Sequence, residues 1–218
     1  MILNLILASN SPRRKYLLGL LGWNFDVVPA DVDETVLPGE KPADYVLRLA
    51  ESKARAVGEL LEDNAVIISA DTTVVDGNEI LGKPIDSDDA ARMLHRLRGQ
   101  THQVYTGLAV HHPPEVMLTD LGAADVPMRN YTDEELQDYI ASGDPLDKAG
   151  AYAIQHAGFH PVESLKACYA NVVGLPLCHL TRTLKKIDLD PKVNVAEVCQ
   201  AALGYQCPVH NLILREEL

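Results

Sequence analysis

LILASNSPRRKYLLGLL, Leu5 to Leu21, holds the signals of a strand, a polar turn and a helix in succession. The apolar run from Ile2 to Ala8 predicts a buried strand. The leucines at 17, 18, 20 and 21 predict the packed face of a helix. Between them, Ser9, Asn10 and Ser11 form the turn. Ser11 fits the N-cap and Pro12 the first helical position. Arg13 and Arg14 then fall in the first helical turn, where the backbone already carries partial positive charge. Each misplaced cation would cost an isolated helix roughly 0.3–1 kcal/mol. The pattern makes sense around an anion held by free backbone N–H groups, the serine hydroxyls and two guanidinium forks. A phosphate site is therefore expected at Ser9, Ser11, Arg13 and Arg14.

Outward from this stretch, the periodicity alternates between strand and helix. Asn24–Val28 predicts a short second strand after a stop at Gly22. Pro29–Pro38 is a loop with Asp31, Asp33 and Glu34. Pro42 opens a long amphipathic helix to about Leu61, with Tyr45, Val46, Leu49, Ala50, Ala54 and Val57 on its apolar face. Ala65–Ala70 is the clearest buried strand and is expected to end at Asp71. TTVV and EIL flank Asp76-Gly77-Asn78, a hairpin signal. A helix capped by Asp86 or Ser87 runs to Arg98, a strand covers Thr101–His111, and a further extended segment reaches about Met128. Thr132 and Glu135 form a capping box for a helix that stops at Gly143. Residues 144–177 predict structured loop and strand, followed by helices at Pro176–Ile187 and Val195–Leu203. Alternating strands and helices without repeats give an α/β fold.

Composition narrows the function classes. A chain of 218 residues suffices for one large domain or two small lobes. The net charge of −12 argues against a general nucleic-acid surface, and 5% aromatics are too few for a single-strand stacking platform. The N-terminus lacks the basic flank and long apolar core of a signal peptide, and no stretch reaches membrane-spanning length. Cys168, Cys178, Cys199 and Cys207 show no CxxC spacing, so buried or idle thiols are expected in a reducing, cytoplasmic setting.

Four groups of polar residues stand at the ends of apolar elements, where functional side chains collect. They are Ser9–Arg14, the loop with Glu34, Asp71 after its strand, and Lys83 between Gly82 and Pro84; Lys53 rides on the long helix. A carboxylate at the end of a buried strand suits a metal ligand or general base, and a turn residue is the structural alternative. Gly77–Lys83 matches the G-x-x-x-x-G-K spacing of a phosphate loop, but Pro84 stands where a Mg²⁺-binding hydroxyl is needed and no helix begins there. That reading fails. His156 and His160 are too interrupted by Gly158 and Pro161 for a helical metal pair and are expected in a loop.

ASNSPRR, SADTTV, LGKP, DKAGAYAIQ and NVVGLPL stand in the order and rough spacing of the Maf family of nucleoside triphosphate pyrophosphatases. The chain resembles that family from about Leu5 to Gly204. The resemblance implies an elongated mixed α/β fold, similar to the inosine-triphosphatase-like proteins. It would be a single Maf-like domain over residues 1–218, with two lobes around a central cleft. It implies cleavage between the α- and β-phosphates, giving a monophosphate and pyrophosphate, with a divalent cation such as Mg²⁺ or Mn²⁺. By position, Ser9, Arg13 and Arg14 match the phosphate-binding signature and Asp71 the proton acceptor. Glu34, Lys53 and Lys83 match the other polar cleft residues; Arg13, Thr72 and Gln155 match positions tied to substrate choice. Glu34 and Asp71 are the pair expected to hold metal, with Asp71 as base and Glu34 on the metal as the favoured division.

ADTTV with DKAGAYAIQ looks like the branch acting on dTTP and UTP, with 7-methyl-GTP the preference of another branch. His156 replaces a glycine, and Ala167-Cys168 stands where Gly-Asp is frequent, which bears on base preference. The expected partner is the nucleotide, with neither nucleic acid nor membrane, and a homodimer is left open. The rival class is a non-catalytic nucleotide-binding regulator of cell division, which would need the arginines but not Asp71 and Glu34 together.

Overall fold

The computed structural model describes residues 4–61 and 65–218; the expected strand start at Ile2 lies outside them. One mixed sheet carries the fold. Its strands are β1 (Asn4–Leu7), β2 (Asp26–Val27), β3 (Ala65–Asp76), β4 (Glu79–Leu81), β5 (Thr101–His112) and β6 (Val116–Pro127). Spatial order is β2-β1-β3-β5-β6, with β4 also on β3. β1 runs parallel to both β2 and β3. The pairs β3–β4, β3–β5 and β5–β6 are antiparallel. This split follows from the connections. Parallel neighbours need a long crossover, and the segment between β1 and β3 contains two helices, whereas β3–β4 and β5–β6 close through short turns.

The helices are α1 (Pro12–Gly19), α2 (Pro42–Gly58), α3 (Ser87–Leu97), α4 (Asp133–Ala141), α5 (Tyr169–Val173), α6 (Leu177–Lys185), α7 (Val195–Leu203) and α8 (His210–Leu214). The starts of α1, α3 and α4 are capped as the sequence predicts, α1 by Ser11. Asp86 accepts from the Asp89 amide at 2.8 Å. Thr132 and Glu135 form the reciprocal box, with bonds of 3.2 and 2.7 Å. Each side-chain cap is worth about 1 kcal/mol.

One apolar cluster joins β1, β3 and β5 to α1, α5, α6 and α7 through Leu7, Leu17, Ile68, Leu108 and Leu180. A second lies on the α2 face, around Ile6, Ala54 and Ile67. A third joins Val74, Val104 and Val126 to α3 and α4, with Leu94 and Tyr131 at its centre. β3 therefore passes from one core into another, and Asp71–Thr73 is the polar interval between Ala70 and Val74.

Several expectations are corrected. The strand predicted to stop at Asp71 continues to Asp76, because the β-branched run Thr72–Val75 keeps pairing with β5. Residues 144–177 contain no extended ladder; two 3₁₀ turns, a single bridge at Met128–Val162 and α5 fill them. α8 was not anticipated, since five residues carry too little periodicity. α1 and α2 also end earlier than predicted, at Gly19 and Gly58.

Candidate active site

The site begins as a gap in the sheet. β1 pairs with β3 over Ala65–Ile68, and β4 pairs with it over Val74–Asp76. Ser69–Thr73 thus have a strand neighbour only on the β5 side. Into the gap opens a cleft of about 630 Å³. Ser9, Ser11, Arg13, Arg14, Glu34, Lys53, Asp71, Thr72, Lys83 and Gln155 all line it. The sequence placed these residues on separate turns, helices and loops; the fold gathers them around one cleft.

Asp71 lies opposite Gly107 of β5. A Cβ at Gly107 would come within 2.5 Å of the Val46 carbonyl oxygen, so α2 approaches the sheet as closely as glycine allows. The Ser69 hydroxyl also donates to the Ala50 carbonyl at 2.5 Å. These two contacts fix the helix, and two turns beyond Val46 they set Lys53 over Asp71. Lys53 Nζ lies 2.6 Å from Asp71 Oδ1 and 2.6 Å from Glu34 Oε1. One ammonium thus bridges a buried and a half-exposed carboxylate.

The two acids are tuned apart. Burial raises Asp71 above the ordinary carboxylate range despite the opposing charges of Lys53 and Arg14. Burial also pushes Glu34 up, but there the hydrogen bond and charge of Lys53, with Lys83 and Arg14, win and hold it low. A carboxylate with a raised pKa in a cleft is suited to take a proton near neutral pH. The acidic loop is itself anchored: Tyr45 Oη donates to the Glu34 carbonyl at 2.9 Å. Burial and the neighbouring charges of Asp71 and Glu34 push the Tyr45 phenol up to about 12, so it stays a donor.

The two arginines part company. Arg14 donates from Nε to the Gly174 carbonyl at 2.9 Å, from Nη1 to Ser9 Oγ at 3.4 Å and from Nη2 to Thr72 Oγ1 at 3.1 Å. The Thr72 hydroxyl is also 2.9 Å from Thr106 Oγ1, which donates on to the Asn171 carbonyl. Arg14 is therefore locked, and burial lowers its pKa from the usual arginine value. Arg13, by contrast, makes no side-chain hydrogen bond or ion pair among the described residues, and it faces the cleft. Lys83 is exposed at the rim on a stretch held by Gly150 N–H to the Gly82 carbonyl, 3.0 Å. Gln155 is exposed on the opposite loop, with no intramolecular side-chain bond among the described residues.

Sequence reasoning missed three lining residues. Tyr45 reads as part of an apolar helical stripe. Lys148 is buried in the wall with Nζ 2.6 Å from Asp147 Oδ1 and 3.0 Å from Asp144 Oδ1. Tyr152 is held by its hydroxyl, 2.8 Å from His102 Nε2. His156, expected in a loop, is in one, where its Nδ1 accepts from the Phe159 amide at 2.9 Å. Among the described residues, no three His, Cys, Asp or Glu side chains meet as a metal group. Asp71 and Glu34 form a two-carboxylate set, which fits an ion such as Mg²⁺ that fills its remaining positions with water and phosphate oxygens.

The cleft along the open edge of β3 is lined by Arg13 and Lys83, which make no ion pair among the described residues, together with the Glu34–Lys53–Asp71 bridge, an arrangement chemically suited to a small anion. The chain belongs to the Maf family: residues 4–187 match its model, described as Maf-like protein. The chain is 50% identical over 186 residues to the dTTP/UTP pyrophosphatase of Anaeromyxobacter dehalogenans (strain 2CP-C), covering 84% of this chain and 93% of that one. It is 48% identical to the dTTP/UTP pyrophosphatase of Geobacter sp. (strain M21), covering 84% and 95%. The dTTP/UTP pyrophosphatase of Dechloromonas aromatica (strain RCB) is 42% identical, with 87% and 100% covered. Among solved structures, the Staphylococcus aureus Ham1 protein overlaps 92% of this chain and 98% of its own at 12% identity, with a TM-score of 0.42. No helix among the described residues is long and apolar enough to cross a membrane.

Proposed function

We propose that this Maf-family protein is a pyrophosphatase hydrolysing dTTP and UTP to the nucleoside monophosphate and pyrophosphate. The observation that carries the reading is the Lys53 bridge, 2.6 Å to each of Asp71 and Glu34, facing free Arg13 and Lys83 across the cleft. Arg13, Lys83 and the Ser9–Ser11 turn bind the outer phosphates, and charge accumulating on the departing pyrophosphate is met by these cations. Arg14 is a positioning residue, holding Ser9 and Thr72 in place. Asp71 accepts the proton of the attacking water, and Lys53 orients its carboxylate.

Asp71 and Glu34 would hold a divalent cation together with phosphate oxygens. Such an ion supplies charge neutralisation at the phosphates and alignment for in-line attack. Selectivity for the base falls to the loop opposite, where Gln155 offers both a donor and an acceptor to the O4 and N3–H edge shared by uracil and thymine. Cytosine presents the reverse pattern at those atoms. The 42–50% identity to three dTTP/UTP pyrophosphatases supports the same preference.

The test is incubation of the purified protein with dTTP, UTP, CTP and 7-methyl-GTP in Mg²⁺ or Mn²⁺, with products resolved by chromatography. Equal amounts of monophosphate and pyrophosphate are expected, with dTTP and UTP cleaved ahead of the others. Diphosphate plus orthophosphate would overturn the reaction. Equal kcat/KM for all four nucleotides would overturn only the preference.

A further inference from the structure

All four cysteines, scattered over forty residues of sequence, converge at one place. Cys168 caps the start of α5, Cys178 is on α6, Cys199 on α7, and Cys207 lies in the turn before α8. Together with Tyr205 and His210 they line a small pocket that shares no residue with the cleft. Cys199 and Cys207 stand beyond residue 187, where the family match stops, and Cys168 occupies the position at which the sequence departs from Gly-Asp. The four are free thiols.

Within the cluster one pair sits on segments that are tied to each other. The Tyr205 hydroxyl lies 2.8 Å from the Leu165 carbonyl and 3.0 Å from the Ala167 carbonyl, pinning the turn after α7 against the residues before Cys168. The Cys207 amide donates to Gln200 Oε1 at 2.9 Å, and its carbonyl takes a bond of 2.7 Å from His210 Nδ1. So positioned, Cys168 and Cys207 stand on the two tied segments and line the same small pocket. We propose that Cys168 and Cys207 form a dithiol modification site that reacts with a low-molecular-weight disulfide and closes into an intramolecular disulfide.

The chemistry balances without a further reagent. The Cys207 thiolate attacks one sulfur of the small disulfide, and the other leaves as a thiolate that takes up a proton. Cys168, losing its proton to water, attacks Cys207 Sγ in the mixed disulfide and displaces the second thiolate. Two protein thiols are oxidised and one small disulfide is reduced to two thiols. The nearby Cys168 thiol lowers the Cys207 pKa and favours the attacking thiolate, whereas burial pushes Cys178 up to about 12 and Cys199 to about 11. Cys207 is also the only one of the four that is not buried. Since no metal group forms among the described residues, a covalent pair suits the cluster better than a bound ion. The bond would tie the segment after α7 to the start of α5, the helix that leads into the Gly174 carbonyl holding Arg14.

The reduced, full-length protein is incubated with glutathione disulfide at neutral pH and followed by intact mass and peptide mapping. Wild type should finish with no retained glutathione and one cross-linked peptide pair joining Cys168 to Cys207. C168S should stop as a glutathione adduct on Cys207. C207S should react about tenfold or more slowly, while C178S and C199S follow wild type. A bridge mapped to Cys178 or Cys199, a lasting adduct on wild-type Cys207, four thiols left free, or stoichiometric Zn²⁺ shielding all four would each overturn the proposal. The wild-type map decides the question even where a serine variant fails to fold.

Discussion

Replacing Lys53 with Met tests the centre of the site. The change keeps most of the side-chain volume and removes the ammonium that lies 2.6 Å from both carboxylates. Burial and the charge of Glu34 raise the Asp71 pKa; Lys53 is the largest influence opposing them, followed by Arg14. Without Lys53 the carboxyl should rise further, because the largest influence holding it down is gone. The acid limb of kcat/KM against pH, measured with dTTP, should move to higher pH.

Stability should follow with a definite sign. The Asp71 pKa is raised on folding, so between its unfolded and folded values the native state keeps a proton that the unfolded chain has lost. Stability therefore falls as pH rises through that window. K53M extends the window upward, and its deficit should be smallest in acid and grow towards pH about 8. There, with Asp71 buried and Glu34 half-exposed, it should reach about 3–5 kcal/mol, roughly 6–20 °C in Tm, almost all of it from Asp71. An acid limb that stays in place, or a Tm gap that shrinks as pH rises, would refute both the ionic bridge and Asp71 as the titrating base.

Asp71→Asn is nearly isosteric and should lower kcat by about 10²–10⁴-fold, while dTTP binding measured by calorimetry survives. Wild-type turnover in that variant would remove Asp71 from catalysis. Arg13→Ala should raise KM and lower kcat together, because a free cation facing the cleft serves both ground and transition states; unchanged kinetics would show that Arg13 does not meet phosphate. Gln155→Ala should narrow the preference for dTTP over CTP by roughly two- to tenfold, the net worth of one hydrogen bond at an exposed side chain, and steady-state kinetics on the two substrates reads it directly.

Local signals carried much of this fold. Ser11-Pro12, Asp76-Gly77-Asn78 and the Thr132–Glu135 box each act within four residues, and each marks an element boundary in the structure. The course of β3 was less readable, because a carboxylate inside a strand looks like an end. It is tolerated there because Lys53, eighteen positions earlier, reaches it from α2. The choice of cleft residues was readable from the motifs, but their division of labour was not. Arg13 and Arg14 are adjacent and chemically alike in sequence. Only the Gly174 carbonyl, 160 positions away, and the Thr72 hydroxyl, 58 away, separate the locked arginine from the free one. Similarly, the cysteines were readable as buried thiols, which three of them are, but nothing in their spacing announces that they meet.

β3 and β5, twelve residues each, run unbroken through the cores on both sides of the cleft and stay paired from Ile67–His111 to Val75–Gln103. A hinge across that ladder would break several backbone bonds at once, so the floor of the cleft behaves as a fixed rail. Adjustment to an arriving nucleotide is left to what borders the rail. One border is the 29–38 loop, tethered by Tyr45 at 2.9 Å and by Arg48 Nη2 to the Thr35 carbonyl at 3.0 Å. The other is the 148–155 loop that carries Gln155. Asp71 and Thr72 thus stand on the stiff part of the molecule and Glu34 and Gln155 on its borders, so changes along the 148–155 loop can reshape the far wall of the cleft without moving Asp71.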